Sequence, residues 1–145
     1  MFELGGDGPG AILVGVDGSE TSLRAGSYAA GLARRQGARV VVLFVHTPPG
    51  AGILTAGLIE VQRQAQATVV DELRAEVEHH ARLLGLSFAF YERHGNPYLE
   101  LIRLADELRV DAVVIGASMR AGHRLVGSLA TRLVRDAKWP VTVVP

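Results

Sequence analysis

A chain of 145 residues with 48% hydrophobic and 21% charged side chains can bury one core, and it is too aliphatic for a disordered segment. Lys+Arg and Asp+Glu both number 15, so the basic excess expected of a nucleic-acid binder is missing. The absence of cysteine excludes a disulfide scaffold, a thiolate nucleophile and a Cys-ligated metal, and no apolar run is long enough to span a bilayer. We expect a soluble, cytoplasmic protein that engages neither nucleic acid nor membrane.

Met1 to Gly10 is glycine-rich and acidic, without the charged-then-apolar order of a signal peptide; it reads as a flexible leader (1–10) before a domain spanning 11–145. Ala11 to Val16 is a continuous apolar run, the pattern of a strand buried on both faces. It ends at Asp17-Gly18-Ser19, where Ser19 with Glu20 behind it makes an N-cap and first turn. The helix so opened runs to about Arg35, with Ala25, Ala29, Leu32 and Ala33 on its inner face, and Gly37 stops it. Arg39 to Val45 is the second buried strand. Thr47-Pro48-Pro49-Gly50-Ala51-Gly52 carries every turn signal and could serve as a flap. Helical spacing then covers Leu58 to Leu84, its apolar positions including Leu58, Val61, Val70, Leu73 and Ala81, and Gly85 closes it. Leu86 to Tyr91 is a third strand, with Phe88 and Phe90 on one face. Asn96-Pro97 places a cap and a first-turn proline at the head of a helix reaching Leu108. Asp111 to Gly116 is the fourth strand. A flexible basic loop, Ala117 to Val126, leads into a helix that opens at Gly127-Ser128 and ends near Lys138, and Pro140 to Val144 is the fifth strand.

Apolar strands alternating with helices predict an α/β fold with a parallel sheet covered on both faces. In such sheets ligands bind beyond the carboxyl ends of the strands, where the strand order reverses. Two strand ends carry polar and glycine chemistry: Val16-Asp17-Gly18-Ser19, and Gly116 through Ser128. The second joins a strand, a loop bearing Arg120, Gly122, His123 and Arg124, and a helix N-terminus, which is the geometry that holds an anion. If the two strands are neighbours, a carboxylate faces an anion cradle. That arrangement suits a nucleotide, with base or ribose toward Asp17 and phosphates toward the loop.

These residues resemble the universal stress protein family over nearly the whole chain, from Ile12 to Val144. The opening Ile-Leu-Val-Gly-Val-Asp-Gly-Ser, Gly95-x-Pro97, Ala105, Asp111-Ala-Val-Val-Ile-Gly116 and the ending Trp-Pro-Val-Thr-Val-Val carry the resemblance. It implies a five-stranded parallel sheet of order 3-2-1-4-5, Rossmann-like, and a homodimer. It also implies adenine near Asp17 and Val45, with phosphates and ribose on a Gly-x2-Gly-x9-Gly-Ser/Thr motif. Gly116 matches the first glycine of that motif and Gly127-Ser128 its final pair. Met119 occupies the second glycine position, and the segment from it to Gly127 is two residues short. Gly122 stands nearby but not at the same place. Candidate cofactor-binding residues are therefore Gly15, Val16, Asp17, Val45, Gly116, Arg120, Gly122, His123, Arg124, Gly127, Ser128 and Leu129. The expected ligand is ATP, with or without Mg2+, and AMP or cyclic AMP are the alternatives because a shorter loop encloses less phosphate. The competing reading is a motif-deficient member that binds no nucleotide and acts as a dimeric interaction protein.

Other signals are weaker. Gly122 to Ser128 has P-loop spacing, but Val126 precedes Gly127 where that motif requires its surroundings, and no lysine follows. His79 and His80 are adjacent on a helix, about 100° apart, and cannot form an i,i+4 metal pair. His46 reads as a turn residue near the base pocket, His94 as structural. No nucleophile–base pair or carboxylate dyad is evident, so an efficient enzyme is not expected, although slow ATP hydrolysis would fit the family. Trp139 with Val141, Val143 and Val144 would expose an apolar edge unless paired, and in the family that strand pairs across the dimer axis.

Overall fold

The computed structural model describes residues 10–48, 55–120, 123–125 and 127–145, with the backbone alone for 118–120 and 123–125. The leader before Gly10, the centre of the proline–glycine loop, and Gly122 lie outside the described residues.

Strand β1 (Ala11–Val16) feeds helix α1 (Glu20–Gln36), then β2 (Arg39–His46), α2 (Ala56–Leu84), β3 (Phe88–His94) and α3 (Pro97–Leu108). β4 (Ala112–Gly116) follows, then β5 (Ser118–Arg120), β6 (His123–Leu125), α4 (Gly127–Asp136) and β7 (Val141–Val144). The main sheet has five parallel strands in the order β3-β2-β1-β4-β7. The expected 3-2-1-4-5 order is thus observed, with β7 as the fifth strand. The chain grows from β1 through β2 to β3 on one side, then returns to β4 and β7 on the other. The reversal lies between β1 and β4.

The apolar strand runs have the meaning the sequence suggested. Ile12, Val14 and Val16 face a core with Ala25, Ala29 and Ala33 of α1 and Val70 and Leu73 of α2. Leu13 faces the opposite core, with Leu101 and Leu104 of α3 and Ala130 and Leu133 of α4. Alternate residues of one strand serve both layers because successive side chains point to opposite faces. Ala25, Ala29 and Ala33 on α1, all fully buried, let that helix lie close on the sheet.

The caps hold as expected. Ser19 Oγ accepts from Ser22 N–H at 3.3 Å, and Asn96 Oδ1 from Leu99 N–H at 3.2 Å, with Pro97 in the first turn. Gly37 (φ 65°) and Gly85 (φ 63°) close α1 and α2 in the left-handed conformation.

Four expectations need correction. β3 begins at Phe88, two residues later than expected, and continues to His94 because it pairs with β2 all the way to His46. α4 ends at Asp136, short of Lys138. Leu58 and Val61, apolar positions of the helical pattern, are exposed, by 54% and 63%, while Val70, Leu73 and Ala81 further along α2 are buried. The segment expected to be a flexible basic loop holds a two-stranded antiparallel hairpin, with Ser118 opposite Leu125, Met119 opposite Arg124 and Arg120 opposite His123.

Candidate functional site

The carboxyl ends of β1 and β4 open onto a cleft of about 610 Å³ at the reversal of strand order. Gly15, Val16 and Asp17 line it from β1, Val45 from β2, Gly116 from β4, and Gly127, Ser128 and Leu129 from the head of α4. Eight of the twelve sequence candidates are brought together here. Of the other four, Arg120, His123 and Arg124 sit on the β5–β6 hairpin between β4 and α4, and Gly122 lies outside the described residues.

Asp17 is exposed and has two jobs in its own turn. Its Oδ1 accepts from Ser19 N–H at 2.9 Å, and its N–H donates to Ser22 Oγ at 3.2 Å. That is an Asx turn, which ends β1 and presents α1 to the cleft. Gly18 adopts φ 86°, and a Cβ there would meet Val69 Cγ1 at 2.8 Å. The turn therefore needs a glycine on two counts, conformation and space.

Gly116 is also required by packing. A Cβ at this position would stand 2.5 Å from the Thr21 carbonyl carbon, 2.6 Å from its oxygen and 2.7 Å from Ser22 N, all backbone atoms. Thr21 Oγ1 donates to the Ala117 carbonyl at 2.5 Å and is itself buried. The end of β4 is thus fastened to the first turn of α1, and the absence of a side chain at 116 makes that approach possible. The missing side chain at 116 thus serves the protein's own helix, and Gly116 also lines the cleft.

Several lining residues are ones that the sequence did not mark as ligand contacts. Asn96, Pro97 and Tyr98 enter from the head of α3, Arg132 from α4, and Thr47 and Gln66 from the side of β2 and α2. Tyr98 Oη donates to Asp136 Oδ2 at 3.1 Å, and the Arg132 guanidinium lies over the Tyr98 ring, 3.8 Å from its centre. Burial, reinforced by the Asp136 bond, pushes the Tyr98 hydroxyl above the usual phenol range. The Arg135 guanidinium holds Asp136 below the usual carboxylate range, with Tyr98 adding to the effect. Only tertiary packing of α3 against α4 makes these partners, and Arg132 falls on the Ser128 face through i,i+4 geometry.

His46 ends β2 instead of standing in a turn. Its Nε2 donates to Glu92 Oε2 at 3.1 Å, and its ring stacks on His94 at 4.6 Å. Glu92 also pairs with Arg74, and these two partners, His46 first, hold its carboxyl below the usual range. His46 is not among the lining residues; it buttresses the β2–β3 edge beside them. His79 and His80 belong to no cluster of three potential metal ligands among the described residues.

The cleft's chemistry is that of a binding surface. Thr21 and Ser22 direct their hydroxyls to backbone carbonyls, and Ser19 Oγ caps α1. The described lining holds one carboxylate, Asp17, and one cation, Arg132. A second hollow of about 330 Å³ lies between α1 and α2 over Val14, Val40 and Val42, but its lining is mostly aliphatic. Convergent polar groups at a strand-order reversal favour the first cleft as the candidate site.

Comparison with known proteins gives a consistent result. The family model described as "Universal stress protein family" matches residues 10–145. A universal stress protein of Mycobacterium tuberculosis is 30% identical over 140 residues, covering 92% of this chain and 94% of the relative. Among solved structures, a universal stress protein in complex with cAMP superposes with a TM-score of 0.68 at 28% identity, covering 94% of this chain and 96% of that one. The universal stress protein UspA from Lactobacillus plantarum gives a TM-score of 0.75 at 22% identity, covering 93% and 97%, a likeness of fold.

Proposed function

Since the chain belongs to the universal stress protein family, we propose that it binds an adenine nucleotide in the β1–β4 cleft and acts through that occupancy instead of efficient turnover. The observation that carries this reading is the convergence, at the reversal of strand order, of Asp17 and Val45 on one side with Gly127 and Ser128 at a helix N-terminus on the other. Base and ribose are assigned to the Asp17–Val45 side. The phosphates are assigned to the head of α4, where free N–H groups and the helix dipole favour an anion. The hairpin cations Arg120, His123 and Arg124, with Gly122 between them, are assigned to the phosphate side as well. A related structure holding cAMP supports the ligand class. ATP, with or without Mg2+, is the first ligand to test, and AMP and cyclic AMP are the compact alternatives.

A second reading is favoured by two specific observations. Gly116 packs closely on the first turn of α1, and the segment after it forms a hairpin in place of an open glycine loop. Both features suit a family member that binds no nucleotide and works as a dimeric interaction protein through β7.

Calorimetric titration with ATP and Mg2+, ADP, AMP and cyclic AMP separates the two. Binding of any of these, weakened at least tenfold by Asp17→Ala, supports the nucleotide reading. No heat with any of them overturns it in favour of the second. ATP turnover above background that is abolished by Ser128→Ala would show that catalysis had been underestimated.

A further inference from the structure

Arg132 stands in the cleft without the partner that its position on α4 would ordinarily supply. Asp136 is one turn along the same face, but both of its oxygens are engaged. Arg135 takes Oδ1 at 2.8 Å and Oδ2 at 3.1 Å, and Tyr98 Oη takes Oδ2 at 3.1 Å. Arg132 instead lies over the Tyr98 ring, and among the described residues no carboxylate pairs with it. A guanidinium stacked on an aromatic face keeps its in-plane N–H donors available, and the ring restricts the side chain's freedom. The same helical face carries Ser128 a turn earlier, at the positive end of the α4 dipole. The cation is therefore steadied by α3, aligned with a helix N-terminus, and directed at a cleft whose described carboxylate, Asp17, belongs to β1.

The geometry points to Arg132 as the residue that holds the ligand's phosphate and makes the cleft select a nucleotide over its nucleoside. This inference rests on the adenine-nucleotide reading and deepens it. The phosphate grip comes from a planar fork on the body of α4, backed by Tyr98, and not only from backbone amides of the shortened loop. A bidentate guanidinium contact is stronger than an amide one and remains in place when the loop is altered.

The test compares adenosine, AMP, cyclic AMP and ATP by titration against the wild-type chain, Arg132→Met and Arg132→Lys. Arg132 is exposed, so both variants are expected to fold, and unchanged thermal melting checks this. The expected result is a loss of about tenfold or more in AMP affinity for Arg132→Met. Adenosine affinity stays unchanged, Arg132→Lys loses less, and the salt dependence of AMP binding becomes shallower in Arg132→Met. Equal AMP affinity in wild type and Arg132→Met overturns the inference while leaving the adenine site standing. Equal losses for adenosine and AMP also overturn it, because Arg132 would then be structural. A wild-type chain that binds none of the four ligands removes the adenine reading itself and this inference with it. Whether AMP, cyclic AMP or ATP shows the largest Arg132-dependent gain over adenosine identifies the phosphate that the guanidinium prefers.

Discussion

At residue scale the informative positions are those whose partners lie far away in sequence. Gly116 ends an apolar run, which the sequence shows, but its neighbours Thr21 and Ser22 belong to the first turn of α1. Gly116→Ala is expected to cost about 1–3 kcal/mol through overpacking against backbone that cannot step aside. Gly26→Ala is the opposite case: nothing lies within 4 Å of the added Cβ on α1, and a gain of about 0.5–1 kcal/mol is expected. Urea unfolding midpoints check both, and an unchanged midpoint for Gly116→Ala would mean that β4 and α1 can separate at no cost. Glu92 gives a pH prediction. Its carboxyl is held low in the folded chain by His46 and Arg74, so its contribution is present above the unfolded carboxylate value, about 4.3, and is lost as pH falls toward the folded one. Glu92→Gln should therefore flatten the acid side of a stability-against-pH curve, by a modest amount because Glu92 is partly exposed. Parallel curves for the two proteins would refute the linkage.

At element scale, local chemistry predicted starts and stops better than lengths or packing. Ser19 and Asn96 cap the helices they were expected to cap, and Gly37 and Gly85 end theirs. These signals are legible because a cap is a contact within one turn of chain. Asn96→Ala should cost about 1 kcal/mol in a denaturant titration, and Asn96→Asp should recover most of it. If alanine is neutral there, Pro97 and packing alone define the start of α3. The end of α3 shows the limit of such reading, since Arg109, not a glycine, takes the left-handed closing position with φ 50°. The β5–β6 hairpin was not legible either. Each strand has three residues, too short for an alternating pattern to emerge, and Met119 and Arg124 are opposed by pairing that no local rule specifies. Helical spacing correctly found α2, but two of the apolar positions that define the pattern, Leu58 and Val61, are exposed, because periodicity marks a helix without showing which of its turns are covered.

At the scale of the whole molecule, β7 is an edge strand. The Val113 N–H donates to the Pro140 carbonyl and the Ala117 N–H to the Val144 carbonyl, so by alternation the Val141 and Val143 backbones point away from β4. Among the described residues no strand pairs with that outer side, and an edge of this kind is a template for a second copy, in keeping with the proposed homodimer. Val143→Pro removes one outward donor while leaving the bonds to β4, and light scattering after gel filtration should show a dimer converted to monomer. A wild-type monomer, or a variant that stays dimeric, would place the interface elsewhere or abolish it. The sequence by itself determined the layered α/β architecture, the strand runs, the helix caps and, through family likeness, the order of strands; all of these follow from periodicity, turn chemistry or recurring motifs along the chain. Only the tertiary structure decided that Gly116 serves the α1 contact and that Arg132 rests on Tyr98 at the cleft. It also decided that Asp17 and the head of α4 border one cleft. Those relations join residues from different elements, and they exist only once α1, α3 and α4 pack around the end of the parallel sheet.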